Sequence, residues 1–217
     1  MEKIAIVGCG GFGHEVKTLI DQINKHTPCY NIIGFYDDSI ELSKFRTIKE
    51  IPFLGNTFSI NEVKEPLNIV IAIGEPKTKL EIVNKINNKF IKYPNLIHPS
   101  AIIEKSLVNI GKGNIITAGC ILTCNIELKN FVILNLKCTV GHDSVISDYS
   151  SIMPAVSISG DVIVKEMVYI GTGAILINKL VVGDNSVIGA GAVVVKDVPD
   201  YAVVVGNPAK IIKYNKN

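Results

Sequence analysis

An aliphatic residue recurs at every sixth position over a long stretch of the chain, and this period constrains the fold more than any other feature. Such a period fits neither a 3.6-residue helix nor an alternating hairpin array. It fits a short strand and a corner repeated around a triangular prism, whose coils stack at the strand-pairing distance of about 4.8 Å. The fifteen successive positions are Ile110, Ile116, Leu122, Leu128, Leu134, Val140, Ile146, Ile152, Ile158, Val164, Ile170, Leu176, Val182, Ile188 and Val194.

Three hexads close one coil, so residues 102–217 are predicted to form an all-β parallel β-helix of five coils without an inserted loop. Residues that lie 18 positions apart should then stack directly on one another.

The first 90 residues follow a different pattern, in which apolar strands alternate with amphipathic helices. Strands are predicted at 4–8, 31–38 and 67–74, and helices at 14–24 and 77–86. This order predicts a small α/β domain of the βαβ, Rossmann-like type over residues 1–90. Residues 91–101, which contain Pro94 and Pro99, are expected to connect the two domains.

Charge and cysteine content exclude several classes of protein. The 217 residues include 22 basic and 20 acidic side chains, and no basic tract stands out, so neither nucleic acid nor a membrane surface is an expected partner. No apolar run approaches the roughly 20 residues of a membrane span. The start of the chain does not resemble a secretory signal, and none of the five cysteines forms a CxxC pair. We therefore expect a cytoplasmic protein with reduced thiols and no zinc site.

The loop after the first strand fits the pattern G-x-G-x-x-G, from Gly8 to Gly13. Such a loop holds phosphates at a helix N-terminus, so a dinucleotide such as NAD, another diphosphate ligand, or a tight turn without a ligand remain alternatives. A bound diphosphate would approach the backbone of Gly10, Gly11 and Phe12. Two acids that end the next strand would accept hydrogen bonds from base or ribose, and a glycine after the third strand would let the ligand lie close. These residues are Asp37, Asp38 and Gly74.

The motifs together carry a resemblance to a known family. The hexads and the ending VVVGNPAKIIK (203–213) resemble the hexapeptide-repeat acyltransferases, which have a left-handed β-helix. The front segments GCGGFGHE, FYDD and IAIG resemble one branch, the sialic acid O-acetyltransferase-like and bacillosamine N-acetyltransferase-like sugar acetyltransferases. The resemblance covers essentially the whole chain. It implies acetyl-CoA as co-substrate, no metal, a nucleotide-activated sugar on the front domain, a homotrimer and a short C-terminal helix.

The predicted repeat region, residues 102–217, contains one histidine, His142, followed by Asp143. Zinc carbonic anhydrases on the same fold need three His ligands, which this region does not supply. Acetyl transfer needs a base for the attacking group, and histidine oriented by a carboxylate is suited to that role. The period stacks Cys124 below His142 and Gly160 above it, where the glycine leaves room for a thioester and offers an N–H for the oxyanion. The alternative is an exposed corner histidine beside an acid; the resemblance implies a catalytic His142–Asp143 pair.

The resemblance also implies ligand-binding residues elsewhere in the repeat region. Asn135 would face the acceptor, although an asparagine ladder or turn is equally consistent with the sequence. Ser151 stands where the family has a second histidine that contacts acetyl-CoA, and its hydroxyl can still hydrogen-bond a thioester or pantetheine carbonyl. Small corner residues would form a groove for pantetheine, and a lysine would bind the CoA phosphates; these are Thr172, Gly173, Ala190 and Lys210.

The sequence therefore predicts an acetyl-CoA-dependent acetyltransferase. Its acceptor would be an amino group of a nucleotide-linked amino sugar, used in surface glycan biosynthesis. Cys120 and Cys138 lie 18 residues apart at inward positions, so direct transfer in a ternary complex is expected rather than an acyl-enzyme. The alternatives are O-acetylation of a sugar or sialic acid, an NAD-binding protein, and a scaffold without activity.

Overall fold

The computed structural model describes residues 1–39, 47–48 and 50–215. The chain divides into two compact units, Met1–Pro94 and Asn95–Asn217. No helix among the described residues is long and apolar enough to cross a membrane.

The first unit is built on a six-stranded sheet in the order β3-β4-β2-β1-β5-β6. Its strands are β1 (Glu2–Val7), β2 (Tyr30–Tyr36), β3 (Thr47–Ile48), β4 (Ile51–Gly55), β5 (Leu67–Ile71) and β6 (Ile91–Lys92). All neighbouring pairs are parallel except β3 with β4. Residues 4–7 of β1 and the whole of β5 are buried, as expected for central parallel strands.

Two α-helices connect the central strands. Helix α1 (Gly11–His26) buries Val16, Leu19 and Ile20 on one face. Helix α2 (Pro76–Lys85) begins with proline at its first turn, and the carboxylate of Glu75 accepts hydrogen bonds from the N–H groups of Lys77 and Thr78. A 3₁₀ helix covers Thr57–Glu62. The sequence predicted the three central strands and both helices, but not β4 or the pairing of β6 with β5.

The second unit is a β-helix with three parallel faces. Face one contains Leu96–Ile97, Ile115–Ile116, Ile133–Leu134, Ser151–Ile152, Tyr169–Ile170, Val187–Ile188 and Ala202–Val205. Face two contains Ile102–Ile103, Ile121–Leu122, Thr139–Val140, Ser157–Ile158, Ile175–Leu176 and Val193–Val194. Face three contains Val108–Ile110, Ile126–Leu128, Val145–Ile146, Ile163–Val164 and Val181–Val182.

Pairing in this unit follows the predicted stacking, with residue 133 beside 151, 139 beside 157 and 145 beside 163. From residue 125 to 191, every sixth residue has a positive φ, between 54° and 70°. These are the corner residues, where the chain turns from one face to the next. We call the corners between faces one and two the first corner, and those between faces two and three the second corner.

Residues 91–101, expected to connect the domains, are largely structured. Ile91–Lys92 pair with β5, and Leu96–Ile97 form the lowest strand of face one. The β-helix therefore begins before residue 102 and also contains His98. The apolar residues at 96 and 97 continue face one with an offset of 19 rather than 18 residues, which breaks the strict period.

The predicted C-terminal helix is wrong. Lys210–Tyr214 form a β-strand that pairs antiparallel with Ala202–Val205. Val203 and Val204 continue face one by pairing with Val187 and Ile188, and the chain then reverses. The adjacent β-branched Ile211 and Ile212 favour this extended pairing over a helix.

Candidate active site

His142 and Asp143 form an exposed pair on the second corner. The Nδ1 atom of His142 lies 2.7 Å from Oδ2 of Asp143, and the two side chains are 63% and 53% exposed. Asp143 has φ 60°, so it occupies the left-handed corner position. An ionised carboxylate only accepts hydrogen bonds, so in the neutral imidazole Nδ1 carries the proton and Nε2 has the free lone pair. The arrangement places a proton acceptor, Nε2, on a largely exposed side chain beside Gly160 of the next coil.

The carboxylate of Asp143 is held from two directions. Hydrogen bonds from His142 and from the side-chain amide of Asn125 keep the pKa of Asp143 below its usual value. The amide nitrogen of Asn125 is 3.1 Å from Oδ1 of Asp143. Asp143 is therefore ionised throughout the neutral range.

Gly160 packs against the imidazole from the next coil. A methyl group built on Gly160 would lie 2.5 Å from Nε2 of His142 and 2.7 Å from Cε1. The ring therefore occupies space that any other side chain at 160 would take. The N–H of Gly160, expected to bind the oxyanion, lies above Gly141: a methyl group on Gly141 would come 2.5 Å from that nitrogen. Its role in oxyanion binding stays a prediction.

The small residues predicted to form the pantetheine groove lie on a different corner from His142, whereas Gly160 lies on the same corner as His142. Thr172, Gly173 and Ala190 lie on the first corner, one face away from His142. Thr172 and Ala190 are exposed, and nothing lies within 4 Å of the position a Cβ would take on Gly173. The exposed Lys210 follows Ala209, whose N–H bonds to Val193 O at the end of this corner. Thr172 and Ala190, 18 residues apart, stack in one column, which within a single chain lies one face away from His142.

Asn135 and Ser151 are less accessible than predicted. Asn135 begins a first corner, is only 6% exposed, and its side-chain oxygen accepts a hydrogen bond from the N–H of Leu136. Ser151 lies on face one and is fully buried. The predicted contact of Ser151 with acetyl-CoA stays a prediction. Cys120 and Cys138 are buried free thiols, as expected, and their sulfurs lie 3.2 and 3.1 Å from backbone oxygens of the next coil.

In the glycine loop of the first unit, two glycines are packed against neighbouring atoms and two have open space around them. A Cβ on Gly8 would contact Ile73 and the carbonyl of Ala72, and a Cβ on Gly13 would overlap the Gly8 carbonyl oxygen. Gly8 also has φ 99°. Gly10 and Gly11 have nothing within 4 Å of the Cβ position. The first and last glycines thus make the turn and the helix–strand contact, while Gly10 and Gly11 leave backbone open at the start of α1.

The two acids at the end of β2 make hydrogen bonds within the protein. Oδ2 of Asp37 lies 2.9 Å from the N–H of Cys9 and 3.2 Å from its sulfur, so this acid braces the glycine loop. Burial, reinforced by Asp37, raises the pKa of the Cys9 thiol to about 12. Asp38 accepts hydrogen bonds from the N–H and hydroxyl of Thr57. Only the remaining lone pairs of both acids are available for a base or ribose.

Asp38 stays ionised despite its partial burial. Burial acts to raise its pKa, but the Thr57 hydrogen bonds and Lys85 outweigh it and leave the pKa below the usual value. The nitrogen of Lys85 is 3.5 Å from Oδ2 of Asp38. The sequence did not predict Thr57 and Lys85 as partners of Asp38. Thr57 lies in the 3₁₀ helix and Lys85 in α2, and only folding brings these residues to the end of β2.

An open cleft lies beside these acids, outside the carboxyl ends of β1, β2 and β5. Parallel α/β sheets commonly bind ligands at this edge. Gly74 follows β5 and has open space at its Cβ position, whereas Phe12 is half-buried in the first turn of α1. The lining residues of the cleft are Val7, Gly8, Asp37, Asp38, Thr57, Ile73, Thr78, Glu81, Ile82 and Lys85.

Among residues 1–39, 47–48 and 50–215, no group of three or more His, Cys, Asp or Glu side chains is arranged to hold a metal ion.

Comparison with known proteins agrees with this architecture. The PglD N-terminal domain family matches residues 3–86. The GDP-perosamine N-acetyltransferase of Escherichia coli O157:H7 is 28% identical over 223 residues, which cover 98% of this chain and 97% of the relative.

Two solved structures match over nearly their whole length. The acetyltransferase domain of PglB from Neisseria gonorrhoeae, in complex with acetyl coenzyme A, is 32% identical with a TM-score of 0.87, covering 97% of this chain and 99% of that one. PerB from Caulobacter crescentus, in complex with CoA and GDP-perosamine, is 26% identical with a TM-score of 0.86, covering 98% of both chains. The chain belongs to the hexapeptide-repeat family of sugar acetyltransferases, and it is an acetyltransferase.

Proposed function

We propose that the protein transfers the acetyl group of acetyl-CoA to an amino group of a nucleotide-linked amino sugar, with His142 as the general base. The observation that carries the proposal is the His142–Asp143 pair, 2.7 Å apart on an open corner with Gly160 beside the ring. Support also comes from the relatives, whose names specify N-acetylation of GDP-perosamine or binding of acetyl coenzyme A. The free cysteines and the use of acetyl-CoA as acetyl donor are consistent with a cytoplasmic enzyme. We propose that this enzyme acts in surface glycan biosynthesis.

In this reaction the sugar amine attacks the thioester carbonyl, while Nε2 of His142 removes a proton from the nitrogen. A C–N bond forms, and collapse of the tetrahedral intermediate breaks the C–S bond. The proton held on Nε2 passes to the departing CoA sulfur, which leaves as the thiol. Asp143 keeps the proton on Nδ1 and stabilises the imidazolium that forms between these steps.

The first unit would bind the nucleotide. The open backbone at Gly10 and Gly11, at the N-terminus of α1, suits a diphosphate, and the adjacent cleft suits the nucleoside. Gly74 leaves open space after β5. This assignment uses the loop for a nucleotide sugar rather than for NAD.

Substitution of two glycines of this loop distinguishes an effect on nucleotide binding from an effect on stability. Gly11→Ala is expected to leave the melting temperature nearly unchanged and to weaken GDP or UDP binding, because its methyl group fills open space. Gly13→Ala is expected to destabilise the first unit by about 2–3 kcal/mol, because its methyl group meets a backbone carbonyl. Thermal unfolding and calorimetric titration measure the two effects. Equal loss of stability in both variants would contradict the assignment.

A complete acetyl-CoA site requires two chains in this proposal. His142 lies on the second corner and the small-residue column at Thr172, Gly173 and Ala190 lies on the first corner. Exposed apolar residues on the faces, such as Ile102 at 62% and Ile175 at 43%, favour association. A homotrimer would place the second corner of one chain beside the first corner of the next, with Lys210 near the CoA phosphates.

Mixed oligomers test this arrangement. His142→Ala and Ala190→Tyr are each expected to be inactive, the second because the ring blocks the groove. After equal amounts are denatured and refolded together, one site in four should combine an intact His142 with an intact groove, so about a quarter of wild-type activity should return. No recovery in a refolded trimer would show that each chain supplies both parts of its own site.

The acceptor is tested by release of the CoA thiol with UDP-, GDP- and dTDP-linked amino sugars, and with free sialic acid as a comparison. Release with one nucleotide amino sugar is the expected result. Release with sialic acid alone would contradict the proposed acceptor and indicate O-acetylation. If no acceptor caused release of CoA and the protein did not bind acetyl-CoA, the proposed reaction would be contradicted.

A further inference from the structure

Asn125 lies directly below Asp143 in the stack of second corners. It precedes Asp143 by 18 residues and has the same left-handed backbone, with φ 54°. Its side-chain amide lies 3.1 Å from Oδ1 of Asp143. Backbone pairing fixes the two coils together here, since the N–H of Asp143 donates to the carbonyl of Cys124 at 3.1 Å.

The two oxygens of Asp143 thus have separate partners. Oδ1 accepts from Asn125 and Oδ2 accepts from Nδ1 of His142. A carboxylate that is 53% exposed would otherwise turn freely about its side-chain bonds. With one oxygen held from the coil below, the other stays directed at Nδ1.

We propose that Asn125 is a positioning residue for the base, acting through Asp143 without touching either substrate. The inference rests on the proposed role of His142. Its consequence is a fixed tautomer: while Oδ2 holds the proton on Nδ1, Nε2 stays unprotonated for the reaction. When the carboxylate turns away, the neutral imidazole reverts to the tautomer favoured in water, with the proton on Nε2, which is the wrong form for a base at that atom.

Asparagine is also favoured at left-handed corners for its backbone alone, so the test must separate the two roles. Asn125→Gly removes the amide and accepts the positive φ, whereas Asn125→Ala removes the amide and adds backbone strain. Asn185, with φ 57° at a corner between faces three and one, is the matched control. Asn185→Gly makes the same change away from His142.

The measurements are kcat and KM for each variant, and the tautomer of His142 by nitrogen-15 NMR at a pH where the imidazole is neutral. The chain has four histidines, so comparison with His142→Ala assigns the signal. In Asn125→Gly we expect kcat to fall by about fivefold, the size of one exposed charge-assisted hydrogen bond, with KM for acetyl-CoA within about twofold. The His142 signal should move toward the Nε2–H tautomer, while Asn185→Gly should match the wild type in both measurements.

Wild-type kcat and an unchanged tautomer in Asn125→Gly would overturn the proposal and leave Asn125 a structural corner residue. If these results came with an inactive His142→Ala, the proposed function would still stand. If His142→Ala kept its turnover, the proposed function would fail, and the tautomer would still decide whether Asn125 orients the ring. Loss of kcat in Asn125→Ala alone would attribute the effect to backbone strain and would also overturn the proposal.

Discussion

Replacing His142 with alanine is expected to lower kcat by about a thousandfold, because general-base catalysis typically contributes factors of about 10²–10⁴. The side chain is largely exposed and packs beside a glycine, so its removal leaves no buried cavity and the fold should be retained. Binding of acetyl-CoA and of the nucleotide sugar should stay close to wild type. Steady-state kinetics with calorimetric binding of each substrate separates these effects.

His26→Ala is the matched control for the removal of an imidazole. His26 is exposed in the last turn of α1, in the first unit rather than in the β-helix, and its replacement should leave kcat unchanged. If the kcat of His142→Ala stayed within about tenfold of the wild-type value, His142 would not be the general base. A loss of binding together with activity would instead assign His142 to substrate binding.

Gly160→Ala should lower kcat by about a hundredfold, since displacing a reacting group by about 1 Å costs a factor of that size. The new methyl group would lie 2.5 Å from Nε2 of His142, which is closer than van der Waals contact allows. The exposed imidazole has open space to move into, whereas the backbone of the stacked coils does not. The ring should therefore leave its position while the protein remains folded.

Asn178→Ala provides the corresponding control, because Asn178 is exposed on the same corner one coil beyond Gly160. Its activity and melting temperature should match the wild type. A Gly160→Ala variant with wild-type kcat would show that the observed position of the ring is not required. A variant that unfolds would make Gly160 a residue of the fold rather than of the site.

The β-helix was predictable because its geometry repeats. Each hexad has an inward position for a large aliphatic side chain, and a polar residue there would lose its contact with water, so Ile, Leu or Val recur with the period. The same period correctly placed Gly160 beside His142. It also places Asn125 below Asp143, so counting back 18 residues from the acid would have identified Asn125 as a candidate partner.

Other features depend on contacts that a periodic pattern does not encode. The hexad period does not determine whether Ser151, next to the inward Ile152, is exposed, and in the folded chain it is fully buried. The hydrogen bonds that engage Asp37 and Asp38 likewise come from Cys9 and Thr57, which meet these acids only in the folded sheet. The C-terminal strand was predicted as a helix because it lies beyond the hexad repeat. Its antiparallel partner, Ala202–Val205, continues face one, and the hexad period does not reveal that pairing.

The proposed reaction passes an acetyl group from CoA to a nitrogen of a nucleotide-linked sugar. Its most direct test uses acetyl-CoA carrying carbon-13 in the carbonyl group, with wild type and His142→Ala incubated with the nucleotide amino sugar that releases CoA. We expect an amide carbonyl signal in the sugar nucleotide, formed by the wild type and lost in the variant. An ester signal, or an amide formed equally by both proteins, would contradict it.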